Sequence, residues 1–149
     1  MKNILIISFL CLPAFSQNYS GRFEKANEHY TLEQYSTAIE IYEDIIESIE
    51  HENIYYYLGN SYFRIGDIGN SIWAYEKALE LSKKNPVIYY SLALANQGIG
   101  NFDKAIFYSE KVLKIDPNFT RADHLISQST KYYYNHKHYL NLKKKIKIS

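Results

Sequence analysis

Cysteine is nearly absent from this chain: Cys11 is the single thiol among 149 residues. A disulfide framework, a thiolate metal site and a cysteine nucleophile elsewhere in the chain are thereby excluded. Proline and glycine are also scarce, at 3 and 6 residues, which rules out collagen-like and linker-like chains. An excess of charge of either sign is missing too. The formal net charge is +1, so overall charge points to no polyanionic or polycationic partner. What is abundant is tyrosine, with 16 copies in a chain that is 46% hydrophobic. Length and composition together describe one folded domain rather than a disordered segment.

The first sixteen residues, MKNILIISFLCLPAFS, read as an address. Lys2 supplies a basic start, Ile4 to Leu12 an apolar stretch, and Ala14 and Ser16 the small residues before a cut ahead of Gln17. This is the layout of a secretory signal peptide. The apolar run falls short of the ~20 residues of a permanent bilayer span. An uncleaved anchor is the alternative. Lipid attachment at Cys11 is disfavoured by the bulky Leu10 before it. The expected location is exported, periplasmic or envelope-associated.

Shifted by 34 positions, the sequence matches itself. Tyr55 meets Tyr89, Leu58 meets Leu92, Ile65-Gly66 meets Ile99-Gly100, and Glu76-Lys77 meets Glu110-Lys111. Apolar residues at helical spacing fill each unit, which predicts pairs of helices repeated along the chain. Small residues at Gly59 and Ala93, answered by Ala38, Ser71 and Ala105, allow close helix approach. Gly66 and Gly100 stand where first helices need a left-handed cap. An earlier unit carries Ala26, Tyr30, Tyr35, Ala38, Tyr42 and Ile45 but has Glu33 at the turn-glycine place. In the third unit Asn96 and Ser109 replace aromatic residues, which predicts looser packing there.

The period, with Leu58-Gly59, Tyr62, Gly66, Ser71, Tyr75 and Ala78 in one unit and Leu92-Ala93, Gly100, Ala105, Val112 and Pro117 in the next, resembles the tetratricopeptide repeat (TPR) family. The resemblance implies an all-α solenoid of about three helix-turn-helix repeats, near 19–51, 52–85 and 86–119, with a C-terminal capping helix over 119–134. Helices are expected near 19–31, 35–50, 53–65, 69–83, 86–99, 103–115 and 119–134. In the last, Ile126 and Tyr133 are expected to face inward, and Arg121, Asp123 and Gln128 to face water. The domain would run 17–134, leaving 135–149 as a tail. A weaker similarity, carried by Phe23-Glu24-Lys25-Ala26-Asn27, Tyr57-Leu58-Gly59-Asn60 and Ile65 to Gly69, connects the chain with the TPR region of Bat-type aerotolerance proteins of the cell envelope. Ser129 to Tyr132 and His138 look like the segment that joins TPR arrays to sulfotransferase-like or glycosyltransferase-like domains.

In this family the first helix of each unit lines a concave groove that holds a peptide or a partner helix. Carried over, the partner-binding groove comprises Phe23, Asn27 and Tyr30, then Tyr56, Tyr57, Asn60, Phe63 and Arg64, then Tyr90, Leu94 and Gln97, with Glu24, Val87 and Ser91 beside them. The surface is aromatic and neutral, with Arg64 as its single cation. The family members that clamp a chaperone's C-terminal carboxylate place Lys, Asn and Arg where this chain has Phe23, Asn27, Tyr57, Val87 and Ser91. Only Asn27 agrees, so no charge-assisted carboxylate clamp is expected at those positions.

Charge is segregated along the chain. Residues 26–63 hold eight acids and no Lys or Arg, while residues 124–149 hold six Lys and no acid. The Lys-rich tail suits weak contact with an anionic membrane surface, and no nucleic-acid motif is visible. No active site emerges. Asp123-His124 are neighbours that diverge by ~100° on a helix, and His136 and His138 lack the further ligands a metal needs. No cofactor is expected. The expectation is a non-catalytic protein–protein interaction module. The alternatives are a structural subunit recruiting an envelope enzyme through its acidic surface, or an adaptor remnant of a TPR-linked transferase.

Overall fold

The computed structural model describes the backbone of residues 12–146 and side chains from Tyr19 to Asn135. Residues 1–11 of the expected leader, and the side chains of the expected tail from His136 onward, lie outside these residues. Among the described residues seven helices follow one another: α1 (Leu12–Thr31), α2 (Tyr35–Ile46), α3 (Glu52–Arg64), α4 (Ile68–Leu81), α5 (Pro86–Gly98), α6 (Phe102–Ile115) and α7 (Thr120–Ile146). No strand occurs among the described residues.

Each helix packs on the next in sequence. The first helices of the units, α1, α3, α5 and α7, also touch one another in order, whereas α2, α4 and α6 make no such contact among the described residues. First helices converge and second helices splay, which curves the array and makes the α1–α3–α5–α7 side its concave face.

The starts of these helices are chemical. Asp67 caps α4 by accepting the Asn70 N–H at 3.2 Å. Asn85 caps α5 by accepting the Val87 N–H at 3.0 Å, with Pro86 at the first helical position. His51 caps α3 through Nδ1, which accepts the Asn53 N–H at 3.1 Å. The turns between paired helices share one geometry. Gly66 (φ 84°) and Gly100 (φ 75°) take the left-handed conformation, and Glu33 takes it as well, at φ 59°. The first unit therefore makes the same turn without the glycine, at the steric cost a Cβ imposes there.

Two apolar clusters form the core. One joins Ala26, Ala38, Tyr42, Ile45, Ile54, Leu58 and Ala74, and the other joins Tyr55, Tyr75, Ala78, Ile88, Leu92 and Ala95. A polar bond recurs inside them. Tyr42 Oη donates to Asn27 Oδ1 at 2.6 Å, and Tyr75 Oη donates to Asn60 Oδ1 at 2.8 Å. These pairs lie 33 residues apart, so the step from the first unit to the second is one shorter than the 34 that follows. Burial holds both hydroxyls well above the ordinary phenol range. Tyr62 is raised in the same way, by burial first and then by its bond to the Glu43 carboxylate.

The third unit replaces this bond rather than leaving a gap. Leu94 and Ser109 occupy the equivalent positions. Ser109 Oγ donates to the Ala105 carbonyl and Asn96 Nδ2 to the Leu92 carbonyl, each at 2.8 Å. Both residues are buried. The expected loosening is met by small polar side chains that satisfy themselves on their own helix.

Three helix bounds differ from expectation. α1 starts at Leu12 rather than near residue 19, so its backbone is continuous through the expected cut ahead of Gln17. α2 ends at Ile46, although Ile49 still packs on the first cluster, because the chain leaves the helix while its apolar spacing persists. α7 continues past residue 134 as one helix to Ile146. It begins 34 residues after α5 and occupies the place of a fourth first helix. Ala122, Leu125 and Ser129 are its buried face, Ile126 and Tyr133 are half-buried, and Arg121, Asp123 and Gln128 are exposed. Where α3 presents Tyr55, Gly59 and Tyr62 to its own second helix, α7 has Asp123, Ser127 and Thr130, and no second helix follows it among the described residues.

Candidate functional site

The concave face holds a hollow of about 340 Å³ lined by Phe23, Asn27, Asn53, Tyr56, Tyr57, Asn85 and Val87. Three consecutive first helices and the cap of the third build it. Phe23 meets Tyr57 edge-on with ring centroids 5.9 Å apart, and Tyr57 stacks on Tyr42 at 6.3 Å. Tyr56 lies edge-on to Tyr57 at 5.5 Å. The aromatic wall is thus anchored from behind by the core. Asn27 is oriented by the Tyr42 hydroxyl, and Asn85 by its capping bond. Val87 is 41% exposed at the rim. None of the seven lining residues carries a charge.

Of the groove positions read from the sequence, Phe23, Asn27, Tyr56 and Tyr57 come together here. The others have different surroundings. Tyr30 packs edge-on against Tyr35 and Tyr57, with centroids 5.5 and 5.8 Å away. Asn60 is held by the Tyr75 hydroxyl. Phe63 packs on the second core cluster, and Leu94 is half-buried. Gln97 donates to Ser129 Oγ at 3.1 Å, tying α5 to α7. Tyr90 meets Phe119 with centroids 5.1 Å apart. Arg64, expected as the groove's one cation, lies 3.6 Å from Glu33 and 5.1 Å above the Tyr35 ring, at the turn end of the units. Both side chains of the Arg64–Glu33 pair are more than half exposed.

Three contributors escaped the sequence reading. Asn53 and Asn85 belong to helix starts rather than to helix faces, and only cap geometry points to them. Arg121 was expected to face water, and it does, but its guanidinium is held 5.3 Å from the Tyr90 ring centroid and 5.1 Å from that of Phe119.

The hollow offers groups suited to contact. Aromatic rings and a valine offer apolar area, and amides offer hydrogen bonds to a peptide backbone. Among the described residues no group of three His, Cys, Asp or Glu could hold a metal ion, and no helix is long and apolar enough to cross a membrane.

Residues 59–100 match the TPR repeat family, and residues 86–119 match the tetratricopeptide repeat. The whole array has the TPR solenoid fold, since it superposes on the first TPR domain of Spaghetti (RPAP3) bound to the HSP90 peptide SRMEEVD. That match has a TM-score of 0.76 at 19% identity and covers 80% of this chain and 95% of the other. The solved structure of MamA is similar at 26% identity and a TM-score of 0.70, covering 90% of this chain and 85% of that one. Rat serine/threonine-protein phosphatase 5 is 34% identical over 97 residues, which are 63% of this chain and 19% of the phosphatase. The chain thus spans about a fifth of that relative's length.

Proposed function

We propose that this protein is a non-catalytic interaction module that holds an extended peptide, or one face of a partner helix, in its concave groove. The observation that carries the reading is the neutral aromatic hollow assembled by Phe23, Asn27, Tyr56, Tyr57 and Val87 from three successive units. Aromatic side chains backed by a rigid core make strong binding anchors, because little conformational freedom is lost when they are covered. That the same fold in RPAP3 holds an HSP90 peptide supports the reading. We further propose export to the cell envelope, on the basic, apolar and small-residue order of residues 1–16.

The test is an array of immobilised nonapeptides probed with the tagged chain from Gln17 onward and with its Val87→Asp variant. Val87 is a rim residue, so the variant is expected to stay folded by circular dichroism. The wild type should retain peptides with an apolar central residue, and Val87→Asp should lose them at least tenfold, the cost of placing a charge against apolar contacts. Retention that is indifferent to Val87→Asp but abolished by Glu40→Lys/Glu47→Lys would move binding to the acidic outer face. That is the reading in which the chain recruits a separate envelope enzyme.

A further inference from the structure

Three arginines occur in the chain, and their treatment differs. Arg22 is ion-paired with Asp44, and Arg64 reaches Glu33 at 3.6 Å. Arg121 has no carboxylate partner among the described residues, yet it is not loose. The Tyr90 and Phe119 rings, 5.1 Å apart, both lie beneath its guanidinium. The aromatic faces fix the position of the cation and leave its N–H donors open to solvent. The acids nearest in sequence are otherwise placed. Asp116 Oδ1 accepts the Asn118 N–H at 3.0 Å. Asp123 is two residues along α7, roughly 200° round the helix. His124 and Gln128, both exposed, follow Arg121 along one stripe at i+3 and i+7. Arg121 also sits in the first turn of a long helix, where backbone N–H groups add partial positive charge.

Its location gives this cation a role. Tyr90 is one helical turn from Val87, which rims the hollow. A chain lying across α3 and α5 with a side chain in the hollow would pass over Tyr90 toward α7 and reach Arg121 next. The hollow is uncharged and Arg64 stands at the turn end of the units beside Glu33 and Tyr35, so Arg121 is the cation met on the path over Tyr90.

We propose that Arg121 is an anion subsite of the concave face and takes a carboxylate of the bound peptide, one residue or a few beyond the apolar side chain seated in the hollow. The inference rests on the peptide-binding reading above. It places the electrostatic contact one unit beyond the helices that frame the hollow and has a single arginine fork grip the acid. The occupant is a peptide combining an apolar residue with a nearby acid, supplied as a Glu or Asp side chain or as a free C-terminus.

The probe is a set of synthetic nonapeptides with a central Leu, scanned with Glu or Gln at each other position, each made with a free and an amidated C-terminus. Binding is measured by fluorescence anisotropy at 0.05 and 0.5 M NaCl. Wild type should prefer Glu over Gln about fivefold at positions on one side of the Leu, the scale of a partly exposed charge pair, and salt should erase the preference. Arg121→Gln should remove the preference and keep the selection for Leu, while Arg64→Gln should change neither. A preference that follows the free C-terminus instead of Glu identifies the terminal carboxylate as the group bound. Selection for Leu without any preference for an acid, or a preference that survives Arg121→Gln, overturns this inference and leaves the groove reading standing. Failure of every peptide to bind wild type defeats the groove reading itself.

Discussion

Replacing Gly59 by alanine is expected to destabilise the protein, although alanine is the better helix former. A Cβ at position 59 would lie 2.6 Å from both Cδ1 and Cε1 of Tyr75 and 3.2 Å from its Cγ. Ordinary carbon contacts are about 3.5–4.0 Å, so the ring would have to retreat by about 1 Å. It has little room to do so. Tyr75 is 3% exposed, its hydroxyl donates to Asn60 at 2.8 Å, and Tyr56 lies beside it with ring centroids 6.2 Å apart. Overpacking of a closed core costs about 1–3 kcal/mol, and stretching the Tyr75–Asn60 bond adds up to about 1 kcal/mol. The helix-propensity gain returns about 1 kcal/mol. The net expectation is a loss of about 1–2 kcal/mol, read as a lowered urea midpoint at an unchanged slope. Gly21→Ala is the matched control, because Gly21 also lies inside a helix but a Cβ there meets nothing within 4 Å. That variant should gain about 0.5–1 kcal/mol. Equal midpoints for the two variants would refute the close α3–α4 approach, and with it the alignment of repeats on which the groove residues were placed.

Glu33→Gly should stabilise by about 0.5–1 kcal/mol in the same assay, since glycine takes the left-handed turn without penalty and the exposed contact with Arg64 contributes little. His51→Asn should raise the thermal midpoint, because asparagine, the residue one period on at Asn85, is a preferred helix cap. Alkaline stability carries a definite sign. Tyr42, Tyr62 and Tyr75 hold their protons more tightly folded than unfolded, so their contribution is complete below about pH 10, the unfolded phenol value, and falls as pH rises above it. Ionisation followed at 295 nm should therefore show a late, cooperative fraction that coincides with loss of helical circular dichroism. A single non-cooperative titration of all tyrosines would contradict the burial.

The repeat carried most of the fold into view because its residues interact locally. Gly66 and Gly100 announce their turns, and Pro86 its helix start, from their own chemistry. Phe23, Asn27, Tyr56 and Tyr57 could be placed in one groove because a solenoid converts sequence period into spatial neighbourhood. What stayed hidden depends on contacts outside that period. Gln97 is claimed by Ser129, 32 residues away on α7. Tyr90 and Arg121 meet only because Phe119 sits between the units. Arg64 looked available in the groove because its partner Glu33 belongs to a turn where glycine was expected. Asn53 and Asn85 act at helix starts, where facial periodicity has nothing to say.

The polar outer side of α7 decides how the array can change in length. Asp123, Ser127 and Thr130 stand where a further second helix would need apolar contacts, so a helix of the α4 kind would find no apolar seat on that side of α7. Its inner side, with Ala122, Leu125 and Ser129 buried, is received by the same kind of surface that every unit offers to the next. A further unit is therefore best received between existing ones. Duplication of a stretch such as 86–119 would lengthen the concave surface by one module and leave the α6–α7 contact as it is, so the reach of the groove could change without that contact being remade.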